Sequence, residues 1–220
     1  MKPPEEPVIT YFPIRGRAEP IRLILEELGI KYQENLVARA NWKDLKSKMP
    51  FGKVPMYEDG EFTIHESHAI YRYLARKHDL YGDTEGERIQ CEMLEQVLSD
   101  AVEAFSRLTW SSHFEEKRPG FIDNQLHNTL DNLEYYLARS ARGPDFWVGN
   151  RLTYIDFLGW TYLDCVRALT GGIVGEYPNL AHLKQGFENR PKIREYLQSD
   201  RRAKTITVPM ASFGGTPETS

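Results

Sequence analysis

Hydrophobic positions near the start of the chain predict a strand that leads into a helix. Residues 8–12 form a short apolar run, and the apolar positions of residues 21–28 recur at the spacing of one helical face. Proline and glycine in residues 13–16 favour a turn between them. Tyr11 is therefore expected at the end of a strand, facing the first turn of a helix, where unpaired amides favour negative charge.

The following stretch predicts a small mixed sheet covered by helices. Residues 32–37 alternate as a strand does, and the polar residues 40–48 indicate an irregular helical segment. The dipeptide Asp59-Gly60 lies between two apolar runs, which is a strong hairpin signal, and a helix is predicted over residues 67–78. This order implies a parallel crossover followed by an antiparallel hairpin.

A change of period divides the chain. Residues 80–86 have the composition of a linker, and long helical stripes follow at residues 89–105 and 126–137 without a convincing strand. We therefore predict an α/β domain over residues 1–82 and an all-α domain over residues 83–220.

Local signals refine the second domain. Thr153 and Asp156 have the spacing of a capping box, which contributes ~1 kcal/mol to local stability. Pro191 begins a last helix. After Val208 the chain is too poor in apolar residues to be core, so residues 210–220 are expected to form a flexible tail.

Composition narrows the class of protein. The chain is 40% hydrophobic, which suffices for real cores, and its net charge of -4 does not suggest a binder of nucleic acid or of anionic membranes. An acidic, proline-rich start and the lack of a long apolar run predict a cytoplasmic protein without a membrane segment. The cysteines Cys91 and Cys165 lack metal-binding spacing, and His65 with His68 is interpreted as incidental, so no metal is expected.

Several polar residues could bind an anion. The Tyr11 phenol can donate a hydrogen bond, and Arg15 and Arg17 add positive field, although an ordinary strand tyrosine and a solvated turn remain possible. A cis peptide before Pro55 would present the Val54 backbone to an extended peptide, whereas a trans proline at a sheet edge is the commoner case.

Charges at both ends fit a short peptide. Ser67 is placed as a helix N-cap for a carboxylate, and Glu66 could hold an ammonium group. Lys46, Trp42 and Lys53 could receive a second carboxylate, although each is alternatively a plain surface or cap residue. Together they predict a site for a small anionic peptide beside Tyr11.

These motifs resemble those of cytosolic glutathione transferases over residues 8–197. The matching features are Tyr11-Phe12, Arg15-Gly16-Arg17, Asn41-Trp42 with Lys46, Phe51-Gly52-Lys53-Val54-Pro55, Glu66-Ser67, Asp100, and Thr153 with Asp156. The resemblance is closest to the sigma class, with pi-class features at Phe12-Pro13. It implies a thioredoxin-like N-terminal domain, an all-helical C-terminal domain, and a homodimer that uses glutathione as co-substrate.

The resemblance also implies residue roles. Tyr11 is expected to donate a hydrogen bond to the glutathione sulfur. The implied glutathione-binding residues are Arg17, Trp42, Lys46, Lys53, Val54, Pro55, Glu66, Ser67 and, from the partner subunit, Asp100. The implied electrophile pocket contains Phe12, Arg17, Phe105 and Trp110, and Phe51 is the implied dimer contact. Glu66 is a departure, because sigma and pi enzymes usually have glutamine there.

The resemblance implies an enzyme of detoxification that conjugates glutathione to small hydrophobic electrophiles. A hydrogen bond to a charged acceptor contributes ~1.5–3 kcal/mol, which matches the roughly 2.7 kcal/mol needed to lower a thiol pKa by about two units. The alternatives are a glutathione-dependent prostaglandin isomerase and a non-catalytic ligand-binding or structural homologue.

Overall fold

The computed structural model describes residues 6–215 of the chain. Within that range one mixed sheet of four strands has the order β2-β1-β3-β4. The strands are β1 (Val8–Tyr11), β2 (Gln33–Leu36), β3 (Met56–Glu58) and β4 (Thr63–His65). The helices are α1 (Glu19–Leu28), α2 (Trp42–Lys46), α3 (Ser67–Lys77), α4 (Glu85–Thr109), α5 (Phe114–Gly120), α6 (His127–Leu137), α7 (Tyr154–Thr170), α8 (Pro178–Glu188) and α9 (Pro191–Gln198). A π-helical turn (Phe121–Leu126) joins α5 to α6.

The strand register confirms the predicted crossover and hairpin. β1 runs parallel to β2 and antiparallel to β3, and β3 pairs with β4 in an antiparallel hairpin. Ile9 of β1 is fully buried and lies opposite Tyr57 of β3. The apolar face of α1 packs into the same core, and the helix ends at Gly29, whose φ of 69° suits a residue without a side chain.

The regular secondary structure of the second domain is helical and includes no strand within the described residues, as the change of period predicts. Its centre is α7, which packs against α4, α8 and, across the domain boundary, α1. Gly159 lets the Trp147 ring pack directly against the backbone of α7, because a Cβ at this position would lie 2.4 Å from Cε2 of Trp147. The core is therefore continuous between the two domains.

The predicted capping box is present at the start of α7. The Asp156 carboxylate accepts hydrogen bonds from the Thr153 backbone N–H at 2.7 Å and from the Thr153 hydroxyl at 3.0 Å. It also accepts the Trp147 backbone N–H at 3.1 Å, a contact that the sequence pattern did not indicate. One carboxylate therefore begins the helix and fixes the loop before it.

The segment after α9 returns to the N-terminal domain. The backbone N–H groups of Arg15 and Gly16 donate to the carbonyl oxygens of Thr205 and Ile206, at 2.8 and 3.1 Å. Within the stretch predicted to lie outside the core, Phe213 is half-buried, and its ring stacks on Phe114 at 5.3 Å between centroids. The flexible tail stays a prediction. Residues 216–220 of the predicted tail lie outside the described residues.

Candidate functional site

A cavity of about 750 Å³ lies between the two domains. Its walls come from the end of β1, the start of α2, the loop before β3, the start of α3, the C-terminal half of α4, α7 and the segment after α9. The predicted site residues that line it are Tyr11, Phe12, Arg17, Trp42, Lys53, Val54, Pro55, Glu66, Ser67, Phe105 and Trp110. Residues that are distant in sequence therefore meet in one site.

Tyr11 is a buried residue with a polar hydroxyl in the wall of this cavity. Its side chain is 7% exposed, and its hydroxyl oxygen accepts the Arg17 backbone N–H at 3.0 Å. Burial raises the pKa of the phenol, so the group is protonated at neutral pH. The described residues offer no acceptor for the hydroxyl proton. The phenol can therefore donate a hydrogen bond to a bound anion.

Gly16 makes this placement of Tyr11 possible. Its φ is +41°, and an added Cβ would lie 2.6 Å from the Tyr11 hydroxyl oxygen. Only a residue without a side chain lets the turn approach the phenol so closely. The requirement for glycine at the middle of the Arg-Gly-Arg motif is therefore steric.

The two arginines of that motif have different roles. Arg15 is buried, and its guanidinium donates to the Asp164 carboxylate at 3.1 Å and to the Ala203 carbonyl at 3.0 Å. It therefore joins the domains. Arg17 is half-buried and lines the cavity, and the described residues offer its guanidinium no hydrogen-bond acceptor. Of the two cations that were expected to add field at Tyr11, Arg17 is the one available to a ligand.

The loop before β3 presents its backbone to the cavity. The peptide bond between Val54 and Pro55 is cis, as the resemblance implies, and both residues line the cavity. Pro55 is buried while Val54 is half-buried. A backbone amide and carbonyl beside a cavity can pair with an extended peptide as a neighbouring strand would.

The start of α3 differs from the prediction by one residue. Glu66, not Ser67, occupies the N-cap position, because its φ of 66° lies outside the helical region. Ser67 is the first helical residue and is 4% exposed, whereas Glu66 is exposed. The amides of the first turn face no helical partner and can bind a carboxylate.

The basic end of the site lies around α2. Trp42 is half-buried and meets Phe12 edge-on, with ring centroids 5.1 Å apart. Lys53 is exposed and lines the cavity. Lys46 does not line it but is exposed beside Gly52, where a Cβ would lie 3.4 Å from its Cε atom. Two lysines therefore flank this end.

His68 connects α3 to two polar residues of α4, a contact that its sequence position did not reveal. It lines the cavity, its Nδ1 lies 2.7 Å from the Glu95 carboxylate, and its Nε2 lies 3.3 Å from the Ser99 hydroxyl. Glu95 is 1% exposed and also accepts hydrogen bonds from Arg72 and Tyr154. These donors hold the pKa of Glu95 below its usual range despite burial. The available signal was a carboxylate inside the apolar stripe of α4.

The other side of the cavity is apolar. Phe105 is buried against the edge of Phe213, with centroids 6.2 Å apart, and Trp110 is 52% exposed at the end of α4. Ile206 and Val208, which sequence reasoning did not assign to a site, complete this wall. An apolar molecule can therefore lie beside the polar half of the cavity.

Asp100 and Phe51 lie away from this cavity. Asp100 is exposed on α4, where its carboxylate accepts a hydrogen bond from Gln96 at 3.0 Å. Phe51 is 64% exposed, with its ring 6.4 Å from His65. Both predictions concern a second subunit, and they stay predictions.

Residues 6–215 contain neither a cluster of metal ligands nor a membrane-spanning helix. No group of three or more potential metal ligands is clustered among these residues. No helix in the same range is both long and apolar enough to cross a membrane.

Comparisons with known proteins agree with this geometry. The family model described as "Glutathione S-transferase, N-terminal domain" matches residues 7–76, and that described as "Glutathione S-transferase, C-terminal domain" matches residues 99–200. Glutathione S-transferase P 1 of Xenopus laevis is 35% identical over 206 residues, covering 92% of this chain and 96% of that protein.

Two solved structures show the same architecture. The pi-class glutathione S-transferase of Onchocerca volvulus matches with a TM-score of 0.88 and 30% identity, covering 94% of this chain and 99% of that one. Rat hPGDS, solved in complex with a quinoline, matches with a TM-score of 0.81 and 31% identity, covering 91% and 99%.

Proposed function

The chain belongs to the glutathione S-transferase family, and from this premise we propose that it conjugates the glutathione thiolate to small hydrophobic electrophiles, with Tyr11 stabilising the thiolate. The observation that carries the proposal is the Tyr11 hydroxyl, which accepts the Arg17 N–H and keeps its own proton for the cavity. A raised phenol pKa suits this role, because a protonated phenol is the form that donates.

The energy of that hydrogen bond is sufficient for the chemistry. An ordinary thiol has a pKa of about 8.5, and lowering it by about two units requires roughly 2.7 kcal/mol. A hydrogen bond to a charged acceptor contributes ~1.5–3 kcal/mol. Tyr11 then need not remove a proton itself. The thiol proton passes to solvent when glutathione binds, and the thiolate attacks the electrophile.

The remaining cavity residues suit the rest of the tripeptide. We assign the γ-glutamyl end to Glu66 and Ser67 at the start of α3, and the cysteinyl backbone to Val54 before Pro55. The glycine carboxylate is assigned to Trp42, Lys46 and Lys53, which form the basic end. The exposed Glu66 carboxylate is free to face the γ-glutamyl ammonium group, which accommodates the departure from glutamine.

The apolar half of the cavity suits the electrophile. Phe12, Phe105 and Trp110 line the cavity, and we assign the Arg17 guanidinium to the boundary with the polar half. A bond forms between the sulfur and an electrophilic carbon. In a substitution, the electron pair of the broken carbon–halogen bond leaves with the halide. In an addition, the displaced π electron pair moves onto an activated carbonyl oxygen. Arg17 can stabilise the negative charge that develops there.

Two surface features support a homodimer. Phe51 is exposed, and α4 exposes the apolar residues Ile89, Met93 and Val97. We propose that Phe51 inserts into an apolar pocket of the partner subunit and that Asp100 reaches the partner's γ-glutamyl ammonium group. A dimer interface would remove the exposed apolar side chains of Phe51 and α4 from water, whereas the single chain leaves them exposed.

A second function is favoured by one comparison. The similarity to rat hPGDS, with a TM-score of 0.81, supports glutathione-dependent prostaglandin isomerisation as the alternative. We propose that the class within the family is sigma or pi. We also propose a cytoplasmic location and a role in detoxification.

The experiment that tests the main proposal is replacement of Tyr11. Tyr11→Phe should lower turnover of an aromatic halide at neutral pH by on the order of 10², while glutathione affinity stays nearly unchanged. An unchanged rate would refute the thiolate role. Glutathione binding with no turnover of aromatic halides, unsaturated aldehydes or a prostaglandin endoperoxide by the unmodified protein would instead indicate a non-catalytic homologue.

A further inference from the structure

Tyr71 is a buried tyrosine of α3 that the proposed mechanism does not use. It is 3% exposed, and its hydroxyl donates to the backbone carbonyl oxygen of Arg17 at 2.5 Å. The two residues are 54 positions apart, so the contact joins α3 to the short turn that follows β1. A buried phenol with one short hydrogen bond to the backbone holds that backbone in place.

Arg17 is also the residue that holds Tyr11. Its N–H donates to the Tyr11 hydroxyl at 3.0 Å, while its carbonyl accepts the Tyr71 hydroxyl. The two tyrosines are therefore connected through the backbone of a single residue. Arg17 belongs to a three-residue helical turn, Gly16–Ala18, and these two bonds connect its own backbone to β1 and to α3.

Tyr71 also lies one turn after Ser67 on α3. Burial raises the pKa of the Tyr71 phenol, and the Ser67 hydroxyl lowers it to a lesser extent. Ser67 is the residue assigned above to the γ-glutamyl end. One phenol therefore lies between the backbone that orients Tyr11 and the residue that receives the other end of the tripeptide.

We propose that Tyr71 is a positioning residue that aligns the Arg17 backbone with the Tyr11 hydroxyl and thereby sets the acidity of the bound glutathione thiol. This inference rests on the proposed function, because it concerns the same thiolate. Without the Tyr71 hydroxyl, the Arg17 N–H loses its fixed direction. The Tyr11 oxygen is then free to rotate its proton away from the sulfur.

The surroundings of Tyr71 allow its hydroxyl to be removed alone. Its ring packs against His68 with centroids 5.4 Å apart, and phenylalanine keeps that contact. The charged and titratable groups near it are Tyr11 from β1, Arg17 from the turn and Glu95 from α4, in addition to His68. Tyr71→Phe leaves all four in place, so a change in the pH profile is not caused by losing one of them.

The test is the pKa of bound glutathione, followed through thiolate absorbance in the Tyr71→Phe variant. The thiol pKa should rise by roughly half a unit to one unit, an effect of the size that losing one hydrogen bond can produce. Below that pKa, kcat/KM should fall about threefold to tenfold, and at high pH it should equal that of the unmodified protein. The KM for glutathione should change little.

Tyr73→Phe is the matched control. Tyr73 lies on the same helix, but its hydroxyl bonds to Asp59 and Lys77 and does not line the cavity. This variant should keep the thiol pKa of the unmodified protein. Equal thiol pKa values in all three proteins would overturn the role of Tyr71. An ordinary thiol pKa in the unmodified protein would overturn the proposed function itself, so the two failures are distinguishable.

Discussion

Gly16→Ala should disable the site by steric contact with Tyr11. The new Cβ would lie 2.6 Å from the phenol oxygen, so the ring or the turn must move by most of an ångström to reach ordinary contact. The hydrogen bond from the Arg17 N–H, now 3.0 Å, shares this space and would lengthen. Alanine at a φ of +41° adds about 1–2 kcal/mol of backbone strain.

The strain and the displacement have separate readouts. Strain of that size should lower the midpoint of thermal unfolding by roughly 2–4 °C per kcal/mol in a protein of this length. Displacement of the phenol should raise the bound thiol pKa by about one unit or more, and lower kcat/KM near pH 6.5 by about tenfold or more. Thiolate absorbance against pH and a thermal scan measure the two effects.

Gly171→Ala separates them. Gly171 ends α7 with a φ of +82°, and an added Cβ there meets no atom within 4 Å. This control should show a comparable loss of stability with the thiol pKa of the unmodified protein. If Gly16→Ala and Gly171→Ala gave the same thiol pKa, close approach of the turn to Tyr11 would not be what the chemistry requires.

Further predictions concern the carboxylates. Asp156→Ala should lower the free energy of unfolding by roughly 2–4 kcal/mol in urea titrations, because the Trp147 N–H is left buried without a partner, and a loss below 1 kcal/mol would contradict the capping role. The Glu95 pKa is lowered in the folded protein, so its stabilising contribution is present above about pH 4.3 and is lost on acidification. Unfolding of Glu95→Gln should accordingly depend less on pH between about 3 and 5 than that of the unmodified protein, and identical profiles would contradict this. Asp100→Ala should weaken glutathione binding measured by calorimetry, and equal affinity in a forced monomer would exclude a cross-subunit contact.

The fold was predictable because its signals are local. The run around Tyr11, the Asp59-Gly60 turn and the change of period near residue 80 each have a direct structural cause. The site was predictable only as a set of candidate residues, since a sequence motif does not say where each side chain lies. The cavity brings most of them together, including Tyr11 beside the turn of Arg17.

The remaining features depend on contacts between distant residues. Arg15 and Arg17 look alike in sequence, and only the position of Asp164 makes one of them an interdomain anchor. His68 gains its partner from Glu95 on another helix, and Phe213 packs because Phe114 offers it a surface. No periodicity within one segment specifies such pairs.

The bonds from the Arg15 turn to the segment after α9 determine when the site can form during synthesis. Arg15 and Ala203 are 188 residues apart, so the turn below Tyr11 has its complete set of hydrogen bonds only when the later partner is available. A ribosome-bound chain that ended before α9 would hold the tyrosine but not the contacts that steady its surroundings. Under the proposed function, competence to ionise a thiol would therefore be acquired late in translation, after nearly all of the helical domain has been made.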